Sequence, residues 1–96
     1  MNMNYESLRL DLEEAREAID HVLMEISPGG YYEIPDADSE EALVTEFWHI
    51  YHHLNLAWNR RHVFTESEMR ANRKEHSSFP KDIAAKIDEF NEIELD

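Results

Sequence analysis

From Asn4 to Ile26, apolar side chains recur at Tyr5, Leu8, Leu12, Ala15, Ile19, Val22 and Ile26, alternately three and four residues apart. Such spacing lays one stripe along an α-helix and holds it for three heptads, the pattern of a helix packing along another at a shallow angle. Leu10, Ala18 and Leu23 widen the stripe. A wide stripe favours burial in a bundle over a plain two-stranded coil.

The pattern stops at "SPGGYYEIPDAD", residues 27–38, which holds both glycines and two of the three prolines. Ser-Pro and Gly-Gly end a helix by removing a donor and freeing the backbone. Tyr31, Tyr32 and Ile34 in this long connection are expected to fold back over the bundle end. A second helix should start near Asp38 or Ser39, with Asp38 and Glu41 in a capping-box-like arrangement, and end between Arg61 and Phe64. Its apolar positions are Leu43, Val44, Phe47, Ile50, Tyr51, Leu54, Ala57 and Trp58. "TESE", Thr65 to Glu68, is a capping box that opens a third helix of about ten residues. After "SSFP", Pro80 stands at a favourable first helical position, and Ile83, Ile87 and Phe90 share a face of a fourth helix. The expected fold is a single all-α domain over residues 1–96, a helical bundle built on a long antiparallel helix hairpin with two shorter C-terminal helices.

The chemistry concentrates in "FWHIYHHLNLAWNRRH", Phe47 to His62. With Phe47 as centre of the buried face and about 100° per residue, Leu54 and Trp58 fall within about 20° and Tyr51 within about 40°. These four are therefore the expected core. Trp48, His52, Asn55 and Asn59 share one flank. A tryptophan beside three hydrogen-bonding side chains suits either internal packing against the C-terminal segments or an oligomer or partner interface, with a small-molecule pocket as a third use. Glu46, His49 and His53 lie on the other flank, at i, i+3 and i+7, and are the candidate metal ligands. His21, Glu17 or His76 could complete such a site, yet a solvated face with a Glu–His pair explains the same residues. Arg61 falls on the core line and should form a structural ion pair, with the acidic first helix as the expected source of its carboxylate.

Charge narrows the function classes. The net charge is −13, with two basic and thirteen acidic side chains in residues 1–57. The cluster Arg60, Arg61, Arg70, Arg73 and Lys74 interrupts this and is expected to fold onto the acidic body or an acidic neighbouring subunit. A surface this acidic repels phosphate backbones, so direct nucleic-acid binding is not expected. There is no cysteine, which excludes disulfides, cysteine–zinc sites and thiol catalysis. No signal-like segment or membrane-length apolar run occurs, so no membrane partner is expected and a cytoplasmic location is. Nucleotide, dinucleotide, zincin and serine-hydrolase motifs are missing, so neither an enzyme nor a bound cofactor is expected. The expected function is a small acidic, non-catalytic interaction module that self-associates through the heptad seam of the first helix or the flank of Trp48, His52, Asn55 and Asn59. The alternatives are an acidic inhibitor or nucleic-acid mimic that binds a basic protein, and a metal or small-ligand binder using the histidine-bearing helix face.

Overall fold

The structure, a computed structural model, describes residues 2–30 and 39–94, with side chains at 40–89 in the second stretch. The expected fold-back of Tyr31, Tyr32 and Ile34 and the cap at Asp38 lie outside the described residues. Every regular element among those described is helical: α1 (Tyr5–Ile26), α2 (Ser39–Asn59), α3 (Glu66–Ala71), α4 (Arg73–His76) and α5 (Lys81–Glu94). The all-α bundle on a long hairpin is therefore what the chain forms.

Asn4 starts α1 and closes the open end of the hairpin. Its side-chain oxygen accepts from the Ser7 amide at 3.1 Å, an N-cap that satisfies one of the donors left over at a helix start. Its side-chain amide donates to the Val63 carbonyl at 2.8 Å, and its backbone N–H to the Arg61 carbonyl at 2.6 Å. The chain leaving α2 is thus tied to the start of α1. This tie accompanies the early end of α2 at Asn59, where tighter bonds such as Arg61 N–H to the Trp58 carbonyl take over.

The two long helices run antiparallel, with Asp11 beside His53 and His21 beside Glu46. Burial on α1 follows Leu8, Asp11, Ala15, Ala18, Val22 and Glu25. On α2 it follows Leu43, Glu46, Ile50, His53 and Ala57. The face of α2 turned to α1 is therefore one residue away from the expected one. Phe47, Tyr51 and Leu54, expected in the core, are exposed, and Trp58 is half-buried. The physical reason is size. Ala15, Ala18, Val22 and Ala57 let the helices approach closely, and a phenylalanine or tyrosine in that seam would hold them apart. The α1 stripe divides as well: Leu8, Ala15 and Val22 point to α2, whereas Tyr5, Leu12, Ile19 and Ile26 stay open.

Thr65 caps α3 as expected, accepting from the Glu68 amide at 3.3 Å. The anticipated ten-residue helix is split at Asn72, which adopts φ −113°, ψ 20°. The Glu68 carbonyl accepts from both the backbone N–H and the side-chain amide of Asn72, so this residue caps the end of α3. Pro80 directly precedes α5, and its carbonyl accepts from the Ala84 amide at 3.0 Å.

Asparagines on α2 hold the C-terminal segment. Asn55, a buried polar side chain, donates to the Ser77 carbonyl at 2.9 Å. Asn59 donates to the carbonyls of His76 and Ser78, both at 2.8 Å. Asn55→Ala leaves the Ser77 carbonyl without its partner beside a small void. It should lower unfolding stability by about 1–3 kcal/mol and speed amide exchange in residues 73–79, read by urea denaturation and hydrogen exchange; a variant with unchanged exchange would show that the bracket is dispensable.

Candidate functional site

In an antiparallel pair, stepping one residue forward along either helix rotates to the same side of the hairpin. Asp11, Ala18 and Glu25 are followed by Leu12, Ile19 and Ile26; Glu46, Ile50 and His53 are followed by Phe47, Tyr51 and Leu54. These residues therefore form one continuous apolar face across both helices. Leu12, Ile19, Phe47, Tyr51 and Leu54 are each 40–55% exposed. Arg9 and Arg16, the only basic residues before position 58, stand on its α1 edge beside a shallow groove that also takes in Tyr5, Leu8 and Leu12.

The reverse side is polar. Glu14, Glu17, His21, Thr45, Glu46, Trp48 and His49 line a groove of about 420 Å³ between the helices. Within it, His21 Nε2 lies 2.8 Å from Glu25 Oε1 and 3.5 Å from Glu46 Oε1. Farther along α2, α3 and α4 lie over this side, and His52, Leu56, Met69 and Arg73 line a pocket between them.

The expected metal trio does not converge. His53 Nδ1 sits 3.4 Å from Asp11 Oδ1, His49 meets the His53 ring edge-on at 4.7 Å, and Glu46 turns to His21. Instead of pointing away from the core, Glu46 and His53 face α1 because the hairpin is rotated by one residue. Among the described residues, the set whose ligand atoms come together is His21, Glu25 and Glu46, all within 4.8 Å of one another. The i, i+4 spacing of His21 and Glu25 was visible in the sequence; their meeting with Glu46 depends on the helix register.

The Trp48 flank divides. Asn55 and Asn59 are committed to internal hydrogen bonds, as described above. Trp48 is exposed and stacks on His52, with ring centroids 5.0 Å apart and 14° between planes. Arg61 forms the expected ion pair, but with Asp82 of α5, at 3.1 Å, and not with α1. Its guanidinium also lies 3.9 Å over the Trp58 ring, while the Trp58 indole N–H donates to both Asp82 oxygens at 3.0 and 3.1 Å. The hydrogen bond from Trp58 is the leading reason the Asp82 carboxyl is held below the usual aspartate range. This cluster ties the first turn of α5 to the end of α2. Elsewhere in the basic cluster, Arg70 pairs locally with Glu66, and Arg60 donates to His76 Nδ1 and the Met69 carbonyl.

Two histidines are held below their ordinary value. Desolvation is the main cause for His52, reinforced by His53, His49, Arg73 and Arg60. Desolvation also leads for His76, with Arg60 adding to it and Glu75 opposing. A histidine whose folded pKa is depressed binds its proton more readily in the unfolded chain. Stability is then unaffected above the unfolded value of about 6.5 and declines as pH falls below it. Unfolding free energy should accordingly drop from pH 7.5 to pH 5.5, and the double variant His52→Gln, His76→Gln should flatten that slope. A slope that survives in the double variant would place the titration on other groups.

Compared with protein families, curated proteins and solved structures, the chain finds no match, so its function has to be argued from this geometry.

Proposed function

We propose that this protein is a small acidic, non-catalytic interaction module that self-associates through the apolar face of its helix hairpin. The carrying observation is that face itself: Leu12, Ile19 and Ile26 of α1 beside Phe47, Tyr51 and Leu54 of α2, open along both helices. The buried hydrophobic side chains among the described residues are Ala15, Val22, Leu56 and Ala57, a small core for this many apolar side chains.

The size of the uncovered surface supports a second copy as its partner. The chain exposes 7766 Å², whereas a compact monomer of 11.4 kDa exposes about 5,800 Å². Its radius of gyration is 16.6 Å, against about 12.5 Å for a compact domain of this length. Part of the excess comes from α5, which is attached at its first turn. The remainder still suits a standard interface of about 800 Å² per partner. Two hairpins joined face to face about a two-fold axis make a four-helix bundle, and the heptad spacing of α1 suits that shallow packing. Arg9 and Arg16 at the edge moderate the repulsion between two chains of net charge −13.

Other features fit a non-catalytic role. Among the described groups with displaced pKa values, His76 and Asp82 are engaged with side chains of α2 and the turn after it, and His52 stacks on Trp48 within α2. No helix among the described residues is long and apolar enough to cross a membrane. A cysteine-free chain suits a reducing compartment, and we place the protein in the cytoplasm.

Light scattering at micromolar concentration should give a dimer for the native chain, and a melting temperature that rises with protein concentration. Leu12→Asp combined with Ile19→Asp should abolish both effects, while Trp48→Asp should leave them intact. A native monomer with a concentration-independent melting temperature would overturn self-association. Mass lost in Trp48→Asp alone would move the interface to the opposite flank.

A further inference from the structure

We infer that His21, Glu25 and Glu46 form a binding site for a divalent first-row transition cation, bridging the C-terminal end of α1 to α2. The site is independent of the proposed dimer, because one chain supplies all three ligands.

Geometry is the first argument. A cation bound by one imidazole nitrogen and two carboxylate oxygens at about 2.0–2.2 Å holds those atoms roughly 3–3.6 Å apart. The present separations from His21 Nε2 are 2.8 Å to Glu25 and 3.5 Å to Glu46, and the full set lies within 4.8 Å. Small rotamer changes close the trio around an ion. His21 and Glu25 are four residues apart on one helix, so they meet by local geometry, and the hairpin register brings Glu46 from the other side.

A buried atom supplies the second argument. Glu25 Oε2 is shielded from solvent and has no hydrogen-bond partner, although its sister oxygen contacts His21. A carboxylate oxygen stripped of water and left unpaired is costly and calls for a donor or a cation. A metal ion at the Glu25 carboxylate satisfies it.

The local field points the same way. Helix α1 carries seven acidic and two basic residues, and its last turn has no basic side chain. Glu25 stands in that last turn, where the helix dipole adds negative potential that favours a cation. The site opens into the groove lined by Glu17, Trp48 and His49, so three protein ligands leave room for water or a small anionic ligand to complete the coordination. One nitrogen and two oxygens suit zinc, iron, cobalt, nickel or manganese ions better than soft cuprous ion, which prefers sulfur.

Zinc is the test probe. Isothermal titration of chelator-treated full-length protein with zinc chloride at pH 7.5 should show one ion per chain with micromolar or tighter affinity. His21→Ala and the near-isosteric Glu25→Gln should each weaken binding on the order of tenfold or more, with helix content unchanged by circular dichroism. His49→Ala with His53→Ala should retain binding, and so should Leu12→Asp with Ile19→Asp, which separates this test from that of self-association. Absence of stoichiometric zinc binding would falsify the site. So would binding that survives both His21→Ala and Glu25→Gln, or that disappears only with His49 and His53.

Discussion

The whole arrangement depends on how closely α1 and α2 approach. Ala15, Ala18 and Val22 make the α1 side of the seam small enough to take Leu43, Glu46, Ile50 and His53 of α2. Close contact of that kind gains dispersion energy over a narrow strip but leaves no room for the large apolar residues beside it. Leu12, Ile19, Phe47, Tyr51 and Leu54 are consequently pushed to one side of the hairpin plane. The same rotation brings Asp11 to His53 and Glu46 to His21 and Glu25 inside or beside the seam. One packing choice thus creates both the apolar face and the acidic histidine groove.

Polar side chains at the seam set register where apolar contacts alone would allow sliding. Carboxylate–histidine contacts are directional, and Asp11–His53 and Glu46–His21 can both be made only in one alignment of the helices. At the open end, Asn4 donates two bonds to backbone carbonyls that join the start of α1 to the turn after α2, and its side-chain oxygen caps α1. At the other side of α2, Asn55 and Asn59 secure the carbonyls between α4 and α5. The domain is therefore held as much by amide and carboxylate contacts as by apolar burial, which suits a chain whose apolar stripe is reserved for another surface.

Much of this was readable without coordinates. Heptad spacing set the length of α1, the Pro-Gly cluster set its end, and Thr65 with Glu68 set the start of α3. Asn72 was less transparent, because asparagine occurs inside helices as well as at their ends. Arg61 was assignable to an ion pair from its place on an apolar line. Its partner was not, since charge abundance favoured α1 whereas Asp82 reaches it through the turn before α5.

By itself the sequence determined the two long helices, the Thr65 cap, the amphipathic stripes and the excess of negative charge, because these follow from spacing and composition within a few turns of chain. Tertiary structure alone decided which of two adjacent lines on α2 faces α1. A helical stripe spans a wide arc, and a rotation of one residue exchanges Phe47 for Glu46 at little local cost. The choice is made by the fit between two helices, where the alanines of α1 take the larger Glu46, Ile50 and His53 of α2. The same register decides that His21, Glu25 and Glu46 meet, and that Leu12, Ile19, Phe47, Tyr51 and Leu54 face outward.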